Sequence, residues 1–132
     1  MAGKIIADQI EHSTAGSLDT SYVVQGSAKA WVNFNGTGTI ASRNSLNLSS
    51  LLDNGIGEYT INYVSAWSAV NYAFTGCSGQ TAAGSRTTGG ITFDDFSASV
   101  TTISHRILSR KKDDAVNHDC ANQHCHVLGD LA

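Results

Sequence analysis

The densest collection of reactive side chains is His118-Asp119-Cys120-Ala121-Asn122-Gln123-His124-Cys125-His126, two thiols and three imidazoles in a single short run. Thiolates and imidazoles are the ligands that zinc takes, so Cys120, His124, Cys125 and His126 are the candidate set. The spacing Cys120-x4-Cys125, followed directly by His126, lacks the paired knuckles of a structural zinc motif. The expectation is a flexible or partner-docked tail with no resident metal or cofactor, zinc on those four residues being the exception that the residue types allow. Elsewhere, His105 with Asp94, Asp95 and a serine contains the residue types of a hydrolase triad. Such a triad needs a strained nucleophile turn and an oxyanion site, and no Gly-x-Ser-x-Gly segment occurs. Gly36-x-Gly38 and Gly55-x-Gly57 lead into no helix with free N-terminal amides and read as turns, not phosphate loops. No catalytic residue is expected.

The elements that would position these groups belong to one small unit. A chain of 132 residues holds one domain and an arm. Gly, Ser, Thr and Asn together supply 50 residues, Pro is absent and only 14% are charged, a turn-rich composition suited to β structure. The hydrophobic share of 41% excludes wholesale disorder. A net charge of -3 removes the electrostatic basis for binding nucleic acid. No apolar run reaches the roughly 20 residues of a membrane span, so no membrane insertion is expected. The start, Met1-Ala2-Gly3-Lys4-Ile5-Ile6-Ala7-Asp8, lacks an apolar stretch of signal-peptide length, which points to synthesis in a cytoplasm. Three cysteines are too few for a disulfide-stapled scaffold.

Three segments follow. Residues 1–27 read as an extended attachment arm with short strands, whose Ile5, Ile6 and Ile10 need a partner surface to order them. Residues 28–104 read as the domain. Ala30, Val32 and Phe34 alternate with Trp31, Asn33 and Asn35; Leu46, Leu48 and Leu51 are available to the core; Tyr59, Ile61 and Tyr63 alternate with Glu58, Thr60 and Asn62. A hairpin is expected at Asn54-Gly55, because that pair readily takes the positive φ of a tight turn. Strands are further expected at 70–75, 91–93 and 96–103, with a small-residue loop over 76–90. Residues 105–132 read as a separate irregular tail. The fold class is therefore all-β: a small antiparallel β-sandwich or jelly-roll-like domain, the sandwich favoured, with an N-terminal arm and a C-terminal tail.

Lys29-Ala30-Trp31-Val32-Asn33-Phe34-Asn35-Gly36-Thr37-Gly38-Thr39-Ile40-Ala41, Ser45 to Ser50, Asp53-Asn54-Gly55, Gly57 to Tyr63 and Asn71-Tyr72-Ala73 resemble, in order, a β-domain of bacteriophage tail fibres and related virion proteins. The arm from Asp8 to Thr20 is similar to the start of short tail proteins of marine and cyanobacterial phages. The resemblance implies a noncatalytic virion structural protein of tail or capsid, made in the bacterial host cytoplasm and assembled with itself, commonly as a homotrimer, and with other phage tail or capsid proteins. A short tail fibre or tail-attachment component is the reading it favours. The chain departs from the family pattern at Ala66-Trp67-Ser68-Ala69, where a Met-Pro-type turn is expected, and throughout 104–132.

Association has its own physical basis, since a small β-domain must cover its sheet edges. Trp31, Tyr63, Trp67 and Tyr72 are the aromatics available to an interface or, in the alternative reading, to a flat platform for host surface glycan at a fibre tip. A capsid cement or decoration protein is the third possibility.

Overall fold

In a computed structural model, residues 3, 5–79, 88–93, 100–111 and 116–132 are described. The chain is all-β with antiparallel sheets, as its alternation requires, with one short helix among the described residues. The arm comprises β1 (Gln9–His12), β2 (Gly16–Asp19) and α1 (Thr20–Gly26). The domain comprises β3 (Ala28–Asn35), β4 (Ala41–Leu46), β5 (Leu48–Gly55), β6 (Glu58–Tyr63), β7 (Ala73–Gly79), β8 (Thr88–Phe93), β9 (Ser104–Lys111) and β10 (Asn122–Leu128). These eight form one sheet in the order β4-β3-β10-β7-β8-β9-β6-β5.

That sheet is folded over into two layers. Phe34 of β3 and Tyr59 of β6 stand five places apart in the sheet order, yet their ring centroids are 5.2 Å apart in an edge-to-face contact. One apolar cluster joins Ala30, Val32 and Phe34 from β3, Tyr59, Ile61 and Tyr63 from β6, Ile91 from β8, Ile107 from β9, and Cys125 and Val127 from β10. The two strands at the ends of the sheet, β4 and β5, are consecutive in the chain and separated only by Asn47, which takes a left-handed φ of 58°. Asn tolerates that conformation, and its side chain fixes the corner: Oδ1 accepts from the Ser65 amide at 2.7 Å and Nδ2 donates to the Ser65 carbonyl at 3.2 Å.

The period-two patterns at β3 and β6 are observed residue for residue, Ala30, Val32, Phe34, Tyr59, Ile61 and Tyr63 all being buried. The hairpin between β5 and β6 forms with its turn displaced to Ile56-Gly57, because Asp53 Oδ1 accepts from the Gly55 amide at 3.0 Å and keeps Gly55 in the strand, opposite Glu58. Leu48 and Leu51 pack on the core, whereas Leu46 is exposed. Strand β7 begins at Ala73 and runs through Gly79 into the segment expected to be loop. Residues 100–103 lead into β9 instead of forming a strand, and the remainder of the expected 96–103 strand lies outside the described residues, as do Asp94 and Asp95.

The C-terminal segment requires correction. Residues 105–132 are not an irregular tail: β9 lies between β8 and β6, and β10 lies between β3 and β7. The eight-stranded sheet therefore draws its strands from Ala28 through Leu128. Between these strands, His118 N donates to Ser109 O at 2.8 Å and Gly36 N to Cys120 O at 3.0 Å. After β10, Ser68 N donates to Asp130 O and Ala132 N to Ala66 O, both at 2.9 Å, so the final residues are tied to the corner around Trp67. The arm also differs from the reading as short strands alone, since Thr20–Gly26 is helical.

Candidate functional site

Within the arm the folding is local. Thr20 N donates to Asp8 O and Thr20 Oγ1 to Ala7 O, each at 2.8 Å, closing the β1–β2 hairpin at its open end. At that same end Gln9 Nε2 donates to Asp19 Oδ1 at 2.9 Å across the pair, and at the turn His12 Nδ1 accepts from the Ala15 amide at 3.1 Å. Hydrogen bonds supply this order without burying any apolar face. Ile5 is 94% exposed, Ile6 83% and Ile10 53%, with Val23 and Val24 of α1 exposed beside them. Ile5, Ile6, Ala7, Ile10, Val23 and Val24 line one open apolar groove. The three isoleucines singled out from the sequence thus share a surface, completed by two valines of a helix that the sequence reading missed. Tyr22, Val23 and Val24 are adjacent, with no helical period to flag them, so only their apolar run inside a polar stretch was available as a signal.

Of the four aromatics, Tyr63, Trp67 and Tyr72 are interior, which removes them as an interface or glycan platform. Trp67 is 1% exposed and stacks on Tyr72 at 4.9 Å, while Tyr63 meets the Trp67 edge at 5.2 Å. They meet residues 101–105 and 129–132, of which His105 and 129–132 belong to the segment expected to be a separate tail. Tyr72 Oη donates to Thr101 O at 3.1 Å, and burial pushes its pKa up to about 12. His105 lies against Tyr63 and Phe74, fully buried, and desolvation lowers its pKa to about 3. Trp31 alone stays half-buried on the outer face of β3.

The four-residue zinc set is likewise not assembled. Along β10, Gln123, Cys125 and Val127 point inward while His124 and His126 point outward, and Cys120 is buried in the loop before the strand. A strand's two-residue side-chain period makes convergence of Cys125 with its neighbours His124 and His126 impossible. Burial, with the Cys77 thiol a smaller influence, raises the Cys125 thiol to about 12, a core thiol rather than a ligand. Among the described residues no three His, Cys, Asp or Glu side chains converge as a metal site. What β10 does present outward is a row of side chains on the β3-β10-β7 face: Trp31, Asn33, Thr75, Cys77, His124 and His126 around a shallow depression.

A polar lock holds the opposite part of the interior. Asp119 Oδ1 accepts from Gly57 N at 2.7 Å and from Tyr59 Oη at 2.9 Å, and Tyr59 Oη also lies 2.8 Å from Gly36 O. Desolvation, reinforced by the Asp119 carboxylate, pushes the Tyr59 phenol far above its ordinary range. It acts as a permanent donor. On the rim, Glu58 receives Arg106 in an ion pair and Asn117 Nδ2 at 3.0 Å.

No helix of the described residues is long and apolar enough to cross a membrane. The chain matches no protein-family model, no curated protein and no solved structure.

Proposed function

We propose that the chain is a noncatalytic bacteriophage virion structural protein, a short tail fibre or tail-attachment component, in which the arm seats the β-sandwich on a neighbouring virion protein. The observation carrying this reading is the arm's apolar groove. Five large apolar side chains, Ile5, Ile6, Ile10, Val23 and Val24, lie at least 42% exposed in a segment whose order comes from hydrogen bonds. Each is worth about 1.5–3 kcal/mol when transferred fully out of water, enough together to offset the ordering and association costs of docking. The resemblance of residues 29–75 supplies the virion context. The glycan reading loses three of its four aromatics to the interior and keeps Trp31 alone.

The test is incorporation. Phage particles purified from a producing host contain the native chain by immunoblot, and the full-length Ile6→Ser, Ile10→Ser, Val24→Ser variant, still folded by circular dichroism, is missing from them. Normal incorporation of that variant rejects the arm as the attachment element. A native chain never recovered with particles rejects the virion role altogether.

A further inference from the structure

The alternation that buries Gln123, Cys125 and Val127 delivers His124 and His126 to the outer face of β10, and the strand register brings other chemistry to them. His124 stands opposite Cys77 of β7 on one side and Asn33 of β3 on the other; His126 stands opposite Thr75 and Trp31. Cys77, His124 and His126 are all exposed, around one depression. We propose that this face binds a thiophilic transition-metal dication, zinc being the reference ion, through imidazole nitrogens of His124 and His126 and the thiolate of Cys77.

Sheet geometry sets the distances. Two residues along a strand span about 6.6 Å, directly opposed Cβ atoms lie about 4.5–5.5 Å apart and diagonal neighbours about 7–8 Å apart. Three side chains so placed form a tripod above the sheet, and water completes the tetrahedron of an open site. As they stand, the three do not converge. Bringing them together takes rotations of exposed side chains, motions on the picosecond to nanosecond scale, and breaks no core packing. The thiol proton leaves to solvent as the Cys77–metal bond forms. Two imidazoles and a thiolate favour zinc or copper over magnesium or calcium, which take oxygen ligands.

Asn33 tunes the site. Its Nδ2 lies 2.8 Å from His124 Nδ1, while Arg43 Nη1 donates to its Oδ1 at 3.1 Å, so Arg43 turns the amide donor toward the imidazole. A donor there holds the His124 proton on Nε2, so this nitrogen must give up its proton before it can ligate. Coordination at Nε2 needs that proton on Nδ1 with an acceptor beside it, the arrangement that carboxylate neighbours give to zinc-bound histidines. Asn33→Asp supplies the acceptor.

The experiment is a cobalt(II) titration of the full reduced chain followed by absorbance, with zinc as competitor. The expected result is an equimolar tetrahedral complex with a sulfur-to-cobalt charge-transfer band, displaced by zinc. Cys77→Ser abolishes that band, His124→Ala and His126→Ala each weaken binding, His12→Ala in the arm leaves it unchanged, and Asn33→Asp tightens it by about tenfold. All five substitutions are at positions outside the core, and circular dichroism checks the fold of each. Absence of a tetrahedral complex overturns the proposal. So does a charge-transfer band that persists in Cys77→Ser, or affinity that survives loss of both histidines.

Discussion

Tyr63 Oη and His105 Nδ1 lie 2.5 Å apart inside the sandwich, their rings stacked with centroids 5.5 Å apart. Burial raises the phenol's pKa well above its ordinary range and lowers the imidazole's to about 3, so both are neutral and the tyrosine hydroxyl donates to Nδ1. A polar pair of this kind links β6 to β9 at one specific register, where Ile61 stands opposite His105.

Acid should therefore unfold the domain through this histidine. Its folded pKa is about 3 against an ordinary 6.5, so between those values the unfolded chain takes up the proton and the folded one does not. The stabilising effect is fully present above about pH 6.5 and is lost progressively as pH falls toward about 3. Between about pH 7.5 and pH 5 the loss is about 2 kcal/mol. Urea unfolding at the two pH values measures it, and His105→Gln, which keeps an acceptor for Tyr63, flattens the slope. An equally steep slope in that variant assigns the acid sensitivity to another group.

Truncation before β10 should abolish folding, because β10 is an interior strand and not a tail. Its removal strips β3 and β7 of a hydrogen-bonding partner and opens the core at Cys125 and Val127. A chain ending at residue 117 is expected to lose the far-ultraviolet β signal and cooperative unfolding. Retention of both would mean that the chain up to residue 117 folds without β10.

The error over this segment has a physical cause. At β3 and β6 the inward positions are Ala, Val, Phe, Tyr and Ile, so burial and hydropathy coincide and the strands can be seen in the sequence. At β10 the inward positions are Gln123, Cys125 and Val127, and at β9 they include His105 and Ser109. Those polar groups are reconciled with burial by contacts across the sheet, Gln123 Nε2 donating to Ser109 Oγ at 3.0 Å and Tyr63 pairing with His105. Such partners are distant in sequence, so the alternation reads as a cluster of ligands until the register is known. The same register that dismantles the set at Cys120, His124, Cys125 and His126 brings Cys77 opposite His124. The isoleucines of the arm were legible because nothing in their own segment could bury them.

The Asp119 lock should be among the costlier places to substitute. Asp119→Ala removes the acceptor shared by Gly57 N and Tyr59 Oη and is expected to cost about 3 kcal/mol, since hydrogen bonds to a charged acceptor are the stronger kind and buried donors are left behind. Tyr59→Phe keeps the Gly57 contact and should cost about 1 kcal/mol. Gly57→Ala should exceed both: φ is 65° there, and a Cβ would fall 2.5 Å from His118 N and 2.7 Å from Ser109 O. Equilibrium unfolding in urea ranks the three, and a Gly57→Ala protein as stable as the parent would contradict the close approach of the 116–120 segment.

The two tryptophans should behave oppositely, which separates interior from surface by a single measurement. Trp67 is enclosed by Tyr63, Tyr72 and the backbone at Gly129, whose missing Cβ would stand 3.2 Å from the indole. Trp67→Ala leaves a cavity that this rigid surround cannot close, at about 3–5 kcal/mol. Trp31 lies on the outer face, half-buried between Leu46 and His126, and Trp31→Ala should cost about 1 kcal/mol because water replaces the lost contacts. Fluorescence gives an independent reading, since Trp67 is shielded from an aqueous quencher and Trp31 is not. In Trp31→Ala the remaining emission should resist quenching by iodide until the protein unfolds, and ready quenching in the native state would place Trp67 at the surface after all.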